Sequence, residues 1–189
     1  MEKFQNRYRI PSARAAWWDY ANPGAYFITI CTHNRKHIFG QIYNGEMYLS
    51  PIGQIVVEEW NRSFEIRAEL FCDAWIIMPN HIHAILRIEP TNGDAHKNGQ
   101  AHDQVQTHGR AFLHGAAYRS PKSISSFVAG FKSAATTRIN QYRNTPKQPI
   151  WQTRFHDHII RNDIEYARIA NYIEQNPSKW MDDKFFLNQ

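Results

Sequence analysis

The stretch Cys72-Asp-Ala-Trp-Ile-Ile-Met-Pro-Asn-His-Ile-His-Ala-Ile-Leu-Arg-Ile88 decides the fold of this 189-residue chain. Residues 72–78 and 81–88 are two apolar runs, each of the length and composition of a buried strand. Pro79 and Asn80 separate the two runs. Because so short a connection joins only antiparallel neighbours, the sequence predicts two adjacent core strands that meet at His81.

Strand and helix signals continue on both sides of this pair. Asn44-Gly45 is a strong hairpin signal, Ser50-Pro51 is typical of a helix start, and Asn162 with Glu165 resembles a capping box. The further predicted elements are a strand over 26–32, a hairpin over 38–49, helices over 51–70 and 123–142, an extended segment over 150–160, and a helix from 163 to near 176. This order predicts an α+β fold, a ferredoxin-like antiparallel sheet with helices packed on one face.

Length and composition predict one domain over 1–189. Hydrophobic residues make up 42% of the chain, which is enough to form a core and excludes wholesale disorder. No apolar run approaches the roughly 18 residues of a membrane span, and the first ten residues lack the apolar stretch of a signal peptide. Two cysteines make no disulfide framework. We therefore expect a reduced, cytoplasmic protein with no membrane partner.

Residues 91–120 differ from the rest of the chain. They are poor in large apolar side chains and carry four histidines at intervals of six residues. Six is not a ligand spacing of a helix or a strand, so we interpret the repetition as incidental. The composition predicts a flexible insertion rather than a metal site.

Positive charge is concentrated in one segment. The chain has a formal net charge of +5, and residues 121–162 hold seven Lys or Arg against Asp157 alone, which gives +6. Clustered Lys and Arg gain free energy on nucleic acid by counterion release. The segment is either a solvated helix face or a phosphate-binding strip, and the second interpretation points to a polyanionic partner.

His81 and His83 are the most informative local pair. Alternate side chains of a strand share a face, so both imidazoles are expected on one side of the sheet and Ile82 on the other. Two neutral imidazoles can hold one divalent ion that a third ligand completes, although two structural histidines would give the same pattern. His156 and His158 form a competing pair, which we expect to be partly exposed and near phosphate.

Several further pieces carry a family resemblance. They are Tyr26-Phe-Ile-Thr-Ile-Cys-Thr-x-x-Arg35, Phe39-Gly40, Met78-Pro-Asn80 before His81-Ile-His83, Gly130-Phe-Lys-Ser133 with Asn140, Trp151-Gln-x-Arg-Phe155 and Tyr172-Ile-x-x-Asn-Pro177. Taken in this order they resemble the single-tyrosine HUH transposases, and most closely the REP-associated tyrosine transposases. The resemblance covers nearly the whole chain outside residues 91–120.

The resemblance implies a DNA transposase-like activity. Such enzymes cleave and rejoin single-stranded or hairpin DNA through a phosphotyrosine intermediate, usually as homodimers and without a nucleotide cofactor. A Mg²⁺ or Mn²⁺ ion held by His81 and His83 would polarise the scissile phosphate. The resemblance also implies a tyrosine on the second helix, followed about four residues later by an amide side chain as a further metal ligand.

Asn140 fits the expected amide position, but Thr136 stands where the tyrosine belongs. Tyr142 is the only tyrosine on this predicted helix, and it aligns with core positions rather than with Asn140. The nucleophile could be Tyr142 with a distorted or partner-donated helix end, or another tyrosine such as Tyr118. The alternative is a catalytically inactive, sequence-specific DNA-binding protein of the same fold; an RNA-binding protein is more remote.

Six basic residues are predicted to lie near DNA phosphates. They are Arg14, Arg35, Lys132, Arg138, Arg154 and Arg161. Together with Tyr142 as nucleophile and His81, His83 and Asn140 as metal ligands, they make up the predicted site.

Overall fold

The computed structural model describes residues 3–4, 7–8, 19–90 and 121–186. Its strands are β1 (Lys3–Phe4), β2 (Arg7–Tyr8), β3 (Gly24–Cys31), β4 (Gly40–Tyr43), β5 (Glu46–Leu49), β6 (Leu70–Met78), β7 (His81–Ile88) and β8 (His156–Ile160). Its α-helices are α1 (Pro51–Glu65), α2 (Ile124–Arg143) and α3 (Asp163–Gln175). Arg14, Tyr118 and the predicted insertion over 91–120 lie outside the described residues.

The central sheet has four antiparallel strands in the order β6-β7-β3-β8. The first and third of these strands in chain order, β3 and β7, occupy the middle, which is the ferredoxin-like arrangement that the sequence predicts. The register places Cys31 opposite His81 and Thr29 opposite His83. The fold class is confirmed.

The two faces of the sheet carry different helices. Helices α1 and α2 cover one face, where Ile82, Ala84 and Leu86 of β7 join the main core. This layer is the predicted packing of helices on one face. Helix α3 covers the opposite face, where Ile169 and Ile173 pack against Ile85, so the prediction that the helices pack on one face is correct for α1 and α2 but wrong for α3. Because side chains alternate along a strand, the α3 face is also the face of His81 and His83.

The element boundaries follow the sequence signals closely, with one correction. Asn44 and Gly45 both have positive φ, 51° and 77°, as the hairpin turn between β4 and β5 requires. The first helix, however, ends at Glu65 rather than near Leu70. Leu70 instead begins strand β6 and pairs with Ile88. Helical spacing assigned Leu70 to α1, but its hydrogen bonds to β7 place it in the sheet.

Helix α3 is anchored at its start by the predicted capping pair. Asn162 accepts a hydrogen bond from the backbone N–H of Glu165 at 2.8 Å. The Glu165 carboxylate in turn accepts from the backbone N–H of Arg161 at 2.9 Å and lies 2.8 Å from Nε2 of His158. These contacts tie the helix to the edge strand β8 and fix its direction across the sheet.

Candidate active site

His81 and His83 lie side by side in the interior at the start of β7. Their side chains are 0% and 1% exposed, and their ring centroids are 4.4 Å apart. The structure therefore brings the two predicted ligands together on one face of the sheet, as strand alternation requires.

The outer ring nitrogen of each histidine has a partner. Nδ1 of His81 lies 2.8 Å from Oδ1 of Asn80, which is an acceptor, so this nitrogen donates its proton. Nδ1 of His83 lies 2.9 Å from Oγ1 of Thr29, which can accept in the same way. Such outer partners fix the tautomer that leaves Nε2 with a free lone pair, the atom that binds a metal.

Burial keeps both imidazoles neutral. It lowers the pKa of His81 to about 3, assisted by the nearby charges of Lys184 and Arg35. Burial also lowers the pKa of His83 well below its ordinary value, and the neighbouring His81 acts in the same direction. Neutral imidazole is the form that binds metal, so the pair is in its ligating state at pH 7.

Tyr172 on α3 lies directly over the histidine pair. Its hydroxyl oxygen is 3.2 Å from Nε2 of His83, and the two rings are 5.2 Å apart. The side chain is 39% exposed, so one side of the phenol faces the buried histidine and the other faces solvent. Burial and the adjacent carboxylate of Asp183 raise the pKa of this phenol.

A carboxylate and an amide complete the polar lining. Oδ2 of Asp183 accepts from Nδ2 of Asn176 at 3.2 Å and lies 3.5 Å from the hydroxyl of Tyr172. One ligand atom from each of His81, His83 and Asp183 falls within 4.8 Å of the others, and this is the one such group of His, Cys, Asp or Glu among the described residues. The cluster offers two nitrogens and one oxygen to a cation.

Aromatic rings close one side of the cluster. Phe185 lies 4.6 Å from the ring of His81, and Trp180 lies 6.0 Å from it. The guanidinium of Arg35 sits 5.2 Å from the centre of the Phe185 ring and donates to the carbonyl of Lys184. Nδ2 of Asn80 ties the same segment down by donating to the carbonyl of Phe185 at 2.8 Å.

The other side opens into a cleft of about 330 Å³ beside Tyr172. Arg168, Gln175 and Lys179 are among its lining residues. The ammonium of Lys179 contacts Oε1 of Gln175 at 2.6 Å, and the side chain of Arg168 is 75% exposed. Two basic side chains, Arg168 and Lys179, and two acidic ones, Asp182 and Asp183, therefore line the cleft beside Tyr172.

The structure does not bring Asn140 and Tyr142 to this cluster. Both lie on α2, which packs on the opposite face of the sheet. Nδ2 of Asn140 donates to the carbonyl of Gln148 at 3.0 Å, and Tyr142 is 59% exposed. The expected core position of Tyr142 is corrected as well, because the buried part of α2 ends at Asn140.

The basic residues predicted to contact DNA phosphates lie in different parts of the structure. Arg35 reaches the cluster, whereas Arg138 is held between Glu58 and Glu59 of α1 at 2.6 and 2.8 Å. Lys132 donates to the carbonyl of Gln152 at 2.8 Å. Arg154 and Arg161 are exposed near the edge strand β8.

The second histidine pair lies on that edge strand. His156 is exposed and His158 is half-buried against Glu165, as expected for a partly exposed pair. Asp157 pairs with Ile28, whose side chain belongs to the core beneath α1 and α2, and is itself buried. Within the described ranges, His156 and His158 have no third metal ligand of the histidine, cysteine or acidic type.

Three residues of the cluster lie outside the predicted site. They are Tyr172, Asn176 and Asp183. Tyr172 on α3 and Asn176, the C-cap of that helix, are four residues apart, which is the tyrosine-to-amide spacing expected of α2, so that spacing is the signal that identifies them. Asp183 follows the helix in an irregular segment, and no sequence pattern points to it.

The chain is similar to several known proteins, although no protein-family model matches it. It is 31% identical over 178 residues to an uncharacterized protein of Haemophilus influenzae, covering 94% of this chain and 93% of that protein. It is 24% identical over 160 residues to a REP-associated tyrosine transposase of Escherichia coli, covering 85% and 70%. A solved REP-associated tyrosine transposase bound to a REP hairpin matches with a TM-score of 0.57 and 19% identity, covering 90% and 74%.

The structural match confirms the fold. Within the described residues, no helix is both long enough and apolar enough to cross a membrane.

Proposed function

The chain belongs to the REP-associated tyrosine transposase-like family, and from that premise we propose that it cleaves and rejoins single-stranded or hairpin DNA with Tyr172 as nucleophile. One observation carries the proposal: the hydroxyl of Tyr172 lies 3.2 Å from Nε2 of a buried, paired histidine. A half-exposed phenol beside such a pair is placed to attack a phosphate that enters from the cleft.

His81 and His83 fit a divalent ion, Mg²⁺ or Mn²⁺. Both rings are neutral, and Nε2 of His81 is buried without a hydrogen-bond partner among the described residues. A buried lone pair without a partner costs free energy, which a cation would recover. When bound, the ion supplies positive charge to the scissile phosphate and its leaving oxygen.

Tyr172 carries the covalent step. Its Oη forms a bond to the scissile phosphorus as the bond from phosphorus to the 3′ oxygen breaks. The phenol proton is released to solvent, and the 3′ oxygen takes up a proton to become a free hydroxyl. The product is a 5′-phosphotyrosine, and attack by a 3′ hydroxyl in the reverse direction rejoins the strand without a nucleotide cofactor.

The basic side chains of the cleft orient the DNA. Arg168 and Lys179 stand on one side of Tyr172, and Arg35 stands beyond Phe185 on the other. We expect all three to contact phosphates that flank the scissile position. Arg168 lies 3.9 Å from the carboxylate of Glu165, Lys179 contacts the amide oxygen of Gln175, and Arg35 donates to a backbone carbonyl. Arg154 and Arg161 remain proposed contacts with phosphates farther along the DNA strand.

The placement of Tyr172 favours catalysis over a silent DNA-binding role. The alternative of a catalytically inactive DNA-binding protein depended on the absence of a tyrosine near the histidines. Tyr172, on α3, lies beside the histidine pair. The cluster of His81, His83, Tyr172 and Asp183 is formed within one chain, so it needs no partner-donated helix. The homodimer stays a prediction.

Trapping of the covalent intermediate tests the proposal. The protein is incubated with Mn²⁺ and hairpin DNAs that carry single-stranded extensions of varied sequence, and adducts are separated on a denaturing gel. Mass spectrometry of the digested adduct is expected to place the phosphate on Tyr172. Tyr172→Phe removes the adduct, whereas the matched variant Tyr142→Phe retains it.

Two results would contradict the proposal. A phosphate mapped to Tyr142 would restore the original assignment on α2. Salt-sensitive DNA binding without any adduct, for every substrate and with either ion, would favour the silent binding protein.

A further inference from the structure

Another cavity lies between the segment that follows β3 and the segment that follows α2. Its volume is about 420 Å³, which falls within the roughly 300 to 1,000 Å³ of ligand sites in proteins. It shares no lining residue with the cleft beside Tyr172. Building on the proposed function, we infer that this cavity holds one nucleotide of the single-stranded DNA, with its phosphate against Lys36 and Arg143.

The charge of the cavity suits a phosphate. Lys36 lines it from the first segment and Arg143 from the second, and no Asp or Glu is among the described residues that line it. Basic side chains gathered without acidic neighbours gain free energy when they neutralise phosphates, because counterions are released. The cavity therefore favours a polyanion over a neutral ligand.

Arg143 belongs to the basic segment over residues 121–162, and its surroundings differ from those of two other cations of that segment. Lys132 donates to the carbonyl of Gln152, and Arg138 is held by two carboxylates of α1. Arg143 is exposed at the C-terminal end of α2 and lines the cavity. It is thus the member of this group that is placed to meet a phosphate.

The apolar surface of the cavity suits a nucleobase. Ile38, Pro149 and Ile150 supply this surface, and His33 adds an aromatic ring. Bases stack on aromatic rings whatever their identity. The side-chain amide of Gln148 can both donate and accept, as the polar edge of a base requires. A mainly apolar lining with a few polar groups is typical of ligand sites.

The loop after β3 connects this cavity to the histidine cluster. Asn34 and Arg35 both have a φ of 54°, a conformation that is uncommon outside glycine and that recurs at ligand sites. Arg35 lies over the ring of Phe185 beside the cluster, whereas the next residue, Lys36, lines the cavity. A DNA strand that Arg35 holds at the cluster can therefore continue into the cavity.

The dependence of DNA binding on strand length tests the inference. Fluorescence anisotropy measures the affinity of the whole chain for labelled hairpins whose single-stranded extension, on the 5′ side or the 3′ side, grows by one nucleotide at a time. On one side, the affinity of the wild type is expected to rise about 5- to 100-fold in one step, which is the contribution of one stacked base.

Substitution of the two cations assigns that step to the cavity. Lys36→Ala and Arg143→Ala are each expected to reduce the slope of log K against log salt by about 0.7 on extensions longer than the step, and to leave it unchanged on shorter ones. A variant that only loosens the fold would affect both lengths alike. Arg62→Ala, an exposed arginine on α1 outside the cavity, is expected to keep the slope of the wild type.

Photochemical cross-linking locates the bound nucleotide. 5-Iododeoxyuridine replaces successive nucleotides of the extension, and mass spectrometry identifies the peptide that each one modifies. The nucleotide at the affinity step is expected to attach to residues 33–38 or 143–150. This result depends on where the DNA lies, so a merely structural role of Lys36 or Arg143 would not produce it.

The outcomes distinguish this inference from the proposed function. The inference is overturned if affinity rises evenly with length, if both variants keep the slope of the wild type, or if every position cross-links elsewhere. In each of these cases an adduct on Tyr172 leaves the proposed cleavage standing. An affinity step with cross-links to the cavity, but no adduct on any substrate, supports the cavity as a nucleotide site and overturns the cleavage.

Discussion

Oγ1 of Thr29 lies 2.9 Å from Nδ1 of His83, across the register of two central strands. The pair is buried, with Thr29 4% exposed, so no water competes for the imidazole nitrogen. The Thr29 hydroxyl on β3 thus orients the His83 ring on β7. The orientation of this ring in turn fixes the direction of Nε2, the nitrogen that faces Tyr172. The sheet register itself sets the geometry of the site.

Thr29→Val should therefore weaken metal binding without removing a ligand. The substitution preserves shape but deletes the partner of Nδ1, and loss of such a partner costs about 10- to 100-fold in metal affinity. Titration with Mn²⁺ checks this. Thr32→Val deletes another buried hydroxyl, which contacts the carbonyl of Lys36 and no histidine, so it should leave affinity unchanged.

Asn80 should matter more for stability than any exposed asparagine. Its Nδ2 donates to the carbonyls of Arg35 and Phe185, and its Oδ1 holds His81. Asn80→Ala leaves these buried groups without partners, so the free energy of unfolding should fall by about 2 to 4 kcal/mol. Urea denaturation measures the change. Asn61→Ala, at an exposed site on α1, should stay within about 0.5 kcal/mol of the wild type.

The cleft cations should contribute to DNA affinity, and Arg138 should not. Arg168→Ala and Lys179→Ala are each expected to reduce the slope of log K against log salt by about 0.7 on single-stranded DNA. Arg138→Ala should leave the slope unchanged, since Glu58 and Glu59 already compensate its charge. Fluorescence anisotropy at several salt concentrations measures all three. A larger effect at Arg138 would place the DNA on the α1–α2 layer instead.

Acid should destabilise the metal-free protein through the histidine pair. Burial lowers the pKa of His81 from 6.5 to about 3, so between these values the unfolded chain binds more protons than the folded one. The free energy of unfolding should therefore fall as pH falls below about 6.5, by at most about 1.4 kcal/mol per pH unit for each such histidine. Denaturation at pH 7.5 and pH 5 checks the sign. His81→Gln should show a shallower dependence; an unchanged one would contradict the assignment.

Much of the fold could be predicted from local patterns. The alternation of His81, Ile82 and His83 fixes two faces of a strand, and the structure has that strand over the predicted residues. Asn44-Gly45 and the Asn162–Glu165 pair predict a turn and a helix start that both occur. The C-terminal end of α1 could not be placed, because Leu70 suits a helix and a strand equally and its pairing partner, Ile88, is distant in sequence.

The residues that surround the histidine pair were harder to predict from the sequence. Each helix carries apolar residues at helical spacing, which shows that it has a buried face. That spacing does not show which face of the sheet the helix covers. The sequence prediction therefore assigns the amide ligand to Asn140 on α2, whereas the amide that lies beside the cluster is Asn176 at the end of α3.

The sequence by itself determined that two histidines share one side of a buried strand, because strand alternation is a local rule. Only the tertiary structure decided which tyrosine and which acid meet them. Helix α3 packs Ile169 and Ile173 against Ile85, on the histidine face, and so carries Tyr172 to His83. Helix α2 packs on the far side of the same sheet and leaves Tyr142 in solvent, because burial of its apolar stripe takes place in the other core.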